Sequence, residues 1–125
     1  MLKKITVIFL LILVFGFTPT SQDENIASCV KKVKSSWGEA CKSCTYNKDI
    51  YKVYYVNTCD KALDVLISLQ GSQKLWKTNL FENVQPNDTM FVFNCQGNGK
   101  VLKWARVAGD KELVFPTAAE INETY

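Results

Sequence analysis

The stretch Thr58-Cys59-Asp60-Lys61-Ala62-Leu63-Asp64-Val65-Leu66-Ile67-Ser68-Leu69-Gln70 admits two readings, and the choice between them decides the fold. As a helix it has Thr58 at the N-cap and Gly71 just past its end, residue types that helix termini favour. As a strand it alternates, with Leu63, Val65, Ile67 and Leu69 on one face and Asp64, Leu66, Ser68 and Gln70 on the other. The neighbours settle it. Tyr51 to Val56 is dense in aromatic and β-branched residues, which suit a pleated, half-buried surface. Thr89 to Cys95 sets Phe91, Phe93 and Cys95 on one side and Met90, Val92 and Asn94 on the other. A lone helix would interrupt such a series, so residues 58–70 read as a strand.

Working outward, Val101 to Val107 and Leu113-Val114-Phe115 are further β-rich runs. Between the runs, Gln85-Pro86-Asn87-Asp88 is a turn in which proline pre-sets φ and Asn and Asp bond their own backbone. Gly97-Asn98-Gly99 tolerates the positive φ of a tight hairpin, and Gly71-Ser72 and Gly109-Asp110 mark two more boundaries. Short strands with such punctuation predict an all-β chain, a small antiparallel β-sandwich of five to seven strands over residues 50–116. Residues 117–125 are read as a C-terminal tail. Residues 22–49 are polar and lysine-rich, an irregular or short-stranded lead-in tied down by disulfides. Ile26, Val30, Val33 and Trp37 also fall at helical spacing, so a short amphipathic helix is the alternative there.

The start of the chain has a different texture. Lys3 and Lys4 precede an apolar run from Ile5 to Phe17, followed by Thr18-Pro19-Thr20-Ser21-Gln22. That order reads as a secretory signal peptide over residues 1–21, too short to span a bilayer comfortably. No second run of membrane length follows it. Removing Lys3 and Lys4 leaves 13 basic and 12 acidic side chains, so the mature charge is +1 rather than +3. The one basic cluster, Lys31, Lys32 and Lys34, reads as a solvated face, and no nucleic-acid partner is expected.

All five cysteines (Cys29, Cys41, Cys44, Cys59, Cys95) lie beyond the signal, where an oxidising compartment favours disulfides. Cys59 with Cys95 is the first pairing expected, a bridge worth about 3.8 kcal/mol on chain-entropy reasoning. Cys29 with Cys41 or Cys44 is the second. Cys41-Lys42-Ser43-Cys44 has the spacing of a thiol–disulfide exchange pair, with Lys42 as a nearby cation, although no βαβ pattern surrounds it. The alternative is that each cysteine pairs elsewhere. Ile26-Ala27-Ser28-Cys29 has the form of a lipoprotein cleavage site, which would make Cys29 a lipid anchor. Asp23 and Glu24 stand against that, since they would lie at the membrane edge.

Histidine is absent, so no Ser-His-Asp or Cys-His arrangement can be built, and a single Cys-x-x-Cys knuckle makes a poor zinc site. The acids Glu39, Asp49, Asp60, Asp64, Glu82, Asp88, Asp110, Glu112, Glu120 and Glu123 are scattered, mostly beside turn residues, where capping or solvation is their default role. No enzyme, metal or cofactor is expected. What remains is a surplus of aromatics. Rings with polar tips grip sugars and peptides, and Tyr51, Tyr54, Tyr55, Trp76 and Trp104 are the candidate binding residues. Tyr51 and Tyr55 share one strand face and Tyr54 takes the other, and the exposed one is the expected binding surface. Asn87-Asp88-Thr89 and Asn122-Glu123-Thr124 fit the glycosylation pattern. Export, disulfides and aromatics together imply a binding module for a surface carbohydrate or protein.

Four short pieces resemble the opening strands of thaumatin-like proteins: Tyr55-Val56-Asn57-Thr58-Cys59, Leu63-Asp64-Val65, Pro86-Asn87-Asp88-Thr89 and Lys103-Trp104-Ala105-Arg106. The resemblance, over residues 53–106, implies a β-sandwich and a defence-related or glucan-binding activity. That family is longer and richer in cysteine, and its acidic cleft lies in parts this chain lacks, so no cleft residue carries over.

Overall fold

Residues 26–38, 44 and 50–125 are described by the computed structural model. Among them six strands form two antiparallel three-stranded sheets. The strands are β1 (Val30–Trp37), β2 (Tyr51–Asn57), β3 (Leu63–Gly71), β4 (Trp76–Val84), β5 (Thr89–Asn94) and β6 (Gly97–Val107). Sheet A has the order β1-β2-β5 and sheet B the order β4-β3-β6. The strand reading holds for residues 63–70, with 58–62 forming a bend ahead of β3 instead, and the small all-β architecture holds with it.

The period-two pattern explains which faces meet. Tyr51, Val53, Tyr55 and Asn57 of β2 are buried, while Lys52, Tyr54 and Val56 between them are half-exposed. Val30, Val53, Tyr55, Met90 and Val92 of sheet A pack on Leu63, Val65, Ile67, Leu69 and Ala105 of sheet B in one core. Each fully buried aliphatic side chain there contributes about 1.5–3 kcal/mol.

β3 differs from the other strands in being buried along both faces. Its second face meets a helix, α1 (Ala118–Thr124), whose Ile121 is completely buried against Leu66 and Trp76. The expected tail is therefore a structural element. Thr117 caps it by accepting a hydrogen bond from the Glu120 N–H at 3.2 Å. Asn122 fastens it to the edge of sheet B, accepting from the Trp76 N–H at 2.8 Å.

Other expectations are corrected. Leu113-Val114-Phe115 forms no strand, because it leaves sheet B to cross towards α1. β4 was not foreseen: its run Trp76-Lys77-Thr78-Asn79-Leu80-Phe81-Glu82-Asn83-Val84 is polar, as suits a sheet edge, and a bulge breaks its alternation. Within the lead-in, Val30–Trp37 takes the stranded reading rather than the alternative helix, as edge strand β1, because pairing with β2 gives its backbone a ladder. Gly97-Asn98-Gly99 is no hairpin tip, since β5 and β6 belong to different sheets and the chain turns the sandwich corner there. Gly99 does take the expected positive φ, 87°, but Gly97 is required for contact: a Cβ there would lie 2.6 Å from Tyr51 Cβ.

The β4 bulge explains a buried acid. Two residues, Glu82 and Asn83, stand opposite Asp64, with Asn83 in the left-handed region at φ 54°. Asp64 accepts from the Asn83 N–H at 2.9 Å, from the Gly109 N–H at 3.2 Å and from Arg106 Nε at 3.0 Å. Burial alone would raise its pKa, but these donors outweigh that and hold the carboxyl below the ordinary aspartate value.

The two bridges are Cys29–Cys59 and Cys44–Cys95, with Cα separations of 5.2 and 5.3 Å. Neither expected pairing forms. Val30 pairs with Asn57, which brings Cys29 beside Cys59 at one end of sheet A. Cys95 follows Asn94, which pairs with Tyr51 at the other end. Cys59 and Cys95 are thus separated by the length of β2, about 20 Å at roughly 3.3 Å per residue, far beyond disulfide reach. The span from 29 to 59 is 30 residues and that from 44 to 95 is 51, so each bridge contributes about 3–4 kcal/mol on chain-entropy grounds.

A lysine reaches across each open edge of the sandwich. Lys103 of β6 donates to the Val30 carbonyl of β1, and Lys77 of β4 donates to the Phe93 carbonyl of β5 at 3.2 Å. Both give charged partners to edge-strand backbone, which discourages pairing with another chain there.

Candidate ligand-binding face

The outer face of sheet A follows from the strand register. Tyr54 of β2 stands between Lys34 of β1 and Phe91 of β5, and Lys52 between Ser36 and Phe93. Opposed side chains share a face, so this surface holds Lys31, Lys34, Lys52, Tyr54, Phe91 and Phe93. The rings touch in sequence. Tyr54 and Phe91 have centroids 4.8 Å apart with planes tilted by 31°, and Phe91 and Phe93 are stacked at 5.7 Å and 20°. An ammonium closes each end of the row: Lys34 Nζ lies 4.7 Å from the Tyr54 ring centre and Lys77 Nζ 4.0 Å from that of Phe93. Cation–π attraction fixes both lysines where flexible side chains would otherwise wander. Phe91, at the middle, is 39% exposed.

The strands behind this face are electrostatically one-sided. β1, β2 and β5 carry Lys31, Lys32, Lys34 and Lys52 and not one Asp or Glu. The acids of the described residues lie on sheet B, in loops or on α1. The near balance of 15 basic and 12 acidic side chains in the sequence therefore conceals an uneven distribution of charge.

Of the five expected binding residues, only Tyr54 is on this surface. Tyr51 is buried, its ring 4.7 Å from Trp37. Tyr55 is buried beneath Lys103, and desolvation, helped by Tyr51, pushes its pKa up to about 12. Trp76 is buried under α1. Those three serve the core because they fall on inner faces of their strands or beneath the helix. Trp104 lies on the outer face of sheet B, its ring 6.1 Å from that of Tyr125. It borders a separate groove of about 600 Å³ shared with Lys103, Phe115, Glu120 and Tyr125. Burial lowers the pKa of Lys103 there.

Phe91, Phe93, Lys34 and Lys77 went unforeseen as site residues. Phe91 and Phe93 fall on one side of their strand by simple alternation. Joining them to Tyr54 and Lys34, however, requires the pairing of β5 with β2 and β2 with β1, which no local pattern encodes.

The sulfur chemistry is narrowed as well. Cys44 is bonded to Cys95, so it forms no dithiol with Cys41, which lies outside the described residues. The Cys29 sulfur is bonded to Cys59 and is not open to thioether attachment of lipid. The expected signal peptide also lies outside the described residues. Among the described residues, no group of three His, Cys, Asp or Glu side chains is placed to hold a metal, and no helix is long and apolar enough to cross a membrane. Of the two glycosylation motifs, Asn87 is exposed in its turn. The Asn122 amide is engaged instead, donating to the Ala118 carbonyl at 3.0 Å. No family model, curated protein or solved structure matches this chain.

Proposed function

We propose that the chain is a secreted, non-enzymatic binding domain that recognises a surface carbohydrate or a protein through the outer face of sheet A. The observation that carries this reading is the ring row of Tyr54, Phe91 and Phe93 with a lysine fixed at each end. A half-exposed aromatic row on an acid-free sheet is costly to leave in water and suits a partner of opposite charge. Disulfides at both ends of sheet A hold that face rigid, so little ordering entropy opposes binding. The bridges also fit an oxidising compartment, in accord with the apolar N-terminal run. The bonding of Cys44 to Cys95 and of Cys29 to Cys59 counts against the two alternatives, thiol exchange through Cys41/Cys44 and lipid anchoring at Cys29.

The test is a glycan array and an extracellular-protein pull-down with the oxidised chain from Gln22 onward, repeated with Phe91→Ala. Phe91 lies at the surface, so this variant should fold normally. A ligand whose capture falls at least tenfold with Phe91→Ala is expected. Equal capture by both proteins, or no ligand of either class, refutes the reading.

A further inference from the structure

Resting on that reading of sheet A, we propose that its ligand is a polyanionic glycan, an extended sugar chain bearing carboxylate or sulfate groups, held by Lys31, Lys34 and Lys77. The argument turns on which parts of the rings remain open. One face of Tyr54 is met by Lys34 Nζ and the other neighbour is Phe91; Phe91 lies between Tyr54 and Phe93; Phe93 is covered by Lys77 Nζ and bordered by Phe91. Stacking of a neutral sugar or a nucleobase needs an uncovered ring face. The negative faces of Tyr54 and Phe93 already attract ammonium groups, while ring edges carry the positive end of the quadrupole. Beyond the single exposed ring of Phe91, the surface therefore offers lysine N–H donors, an arrangement that favours anions.

Charge points the same way. Lys34 and Lys77 close the row, Lys31 shares the face from its place opposite Val56, and the three strands beneath supply no carboxylate to compete. Lys77 spends one donor on the Phe93 carbonyl, which pins its position and leaves two N–H groups for a ligand. Shape separates a glycan from an anionic bilayer. The row lies along a sheet face, and with Tyr54 and Phe93 half-buried it leaves Phe91 as its one exposed ring, too little apolar surface to anchor the face in a membrane interface. The row crosses the strands from β1 to the β4 edge, a path that an extended chain can follow.

The decisive experiment titrates the oxidised chain from Gln22 onward with oligogalacturonate, heparin fragments, neutral dextran, oligodeoxythymidylate and phosphatidylcholine/phosphatidylserine vesicles between 50 and 200 mM salt. Oligogalacturonate or heparin should bind, and dextran should not. Affinity should drop about 20–40-fold across that range, as release of counterions at three lysines requires. Each of Lys31→Gln, Lys34→Gln and Lys77→Gln should lower the salt slope by about one, and Lys77→Arg should restore it. Lys111→Gln, on a loop beyond β6, should change nothing. Thermal melts separate a lost contact from a lost fold.

Dextran or protein binding that depends on Phe91 but ignores the lysine changes overturns the ligand class and leaves the binding face standing. Oligodeoxythymidylate or vesicles binding tenfold tighter than either acidic glycan overturns it too. Polyanion binding that survives the triple Lys→Gln change unaltered removes both the ligand class and the face.

Discussion

Replacing Asp64 by Asn tests the physical account of this fold most severely, because a nearly isosteric change attacks one buried charge. In the native protein Oδ1 accepts from the Asn83 N–H, while Oδ2 accepts from both the Gly109 N–H and Arg106 Nε. The amide of Asn can keep the first bond. Its NH₂ then faces two donors, so the Gly109 N–H and the guanidinium lose their acceptor. Breaking one partner of a fully buried ion pair costs about 3–5 kcal/mol. The Arg106 side chain here is 20% exposed and also donates to the Leu113 carbonyl at 2.7 Å, which moderates the loss. We expect about 2–4 kcal/mol, a fall in Tm of roughly 10–20 °C for a domain of this size. The pH dependence supplies a second check. A carboxyl whose pKa is depressed by folding contributes stability that is fully present above the unfolded value of about 3.9 and is lost as pH falls through the folded value. Urea unfolding followed by tryptophan fluorescence, disulfides intact, should show a wide gap between wild type and Asp64→Asn at pH 7 that narrows below about pH 4. A cost under about 1 kcal/mol at pH 7, or a gap unchanged at pH 3, would refute this account of the buried carboxylate.

Gly97→Ala brings a methyl to within 2.6 Å of Tyr51 Cβ, where both neighbours are backbone-fixed, and should cost about 2–3 kcal/mol in denaturant midpoint. Ile121→Ala removes the completely buried anchor of α1; a loss of about 2–4 kcal/mol is expected, with a red shift in fluorescence as Trp76 gains water. Full stability with unshifted emission would show that the helix does not seal sheet B. Tyr55, with its pKa raised to about 12, contributes stability present below pH 10 and lost between about 10 and 12. Absorbance at 295 nm should show a tyrosine still protonated at pH 11, and ionisation of all tyrosines near pH 10 in folded protein would contradict its burial.

Much of this architecture was legible along the chain, because backbone pleating converts alternation directly into buried and exposed faces. Tyr51 to Asn57, Leu63 to Gly71 and Thr89 to Asn94 announced themselves as strands in this way, and Asn87 met the positive φ its turn demands. The hairpin reading of Gly97 to Gly99 failed because glycine signals a backbone need without saying whether it is a turn or a close contact. The terminal helix was partly visible in Thr117 and Glu120, three apart, as at a capped helix start, yet seven residues would scarcely hold a helix without Leu66 and Trp76 to bury Ile121.

Local order in the polypeptide determined the strand character of β2, β3 and β5, which of their side chains point inward and that the cysteines outnumber what one bridge needs. Only the tertiary arrangement decided which cysteines meet, which acid is buried and which rings line up beside which lysines. Those outcomes depend on strand register and sheet order, and distances between residues 30 to 70 positions apart are set by the closing of the whole sandwich rather than by any neighbouring residue.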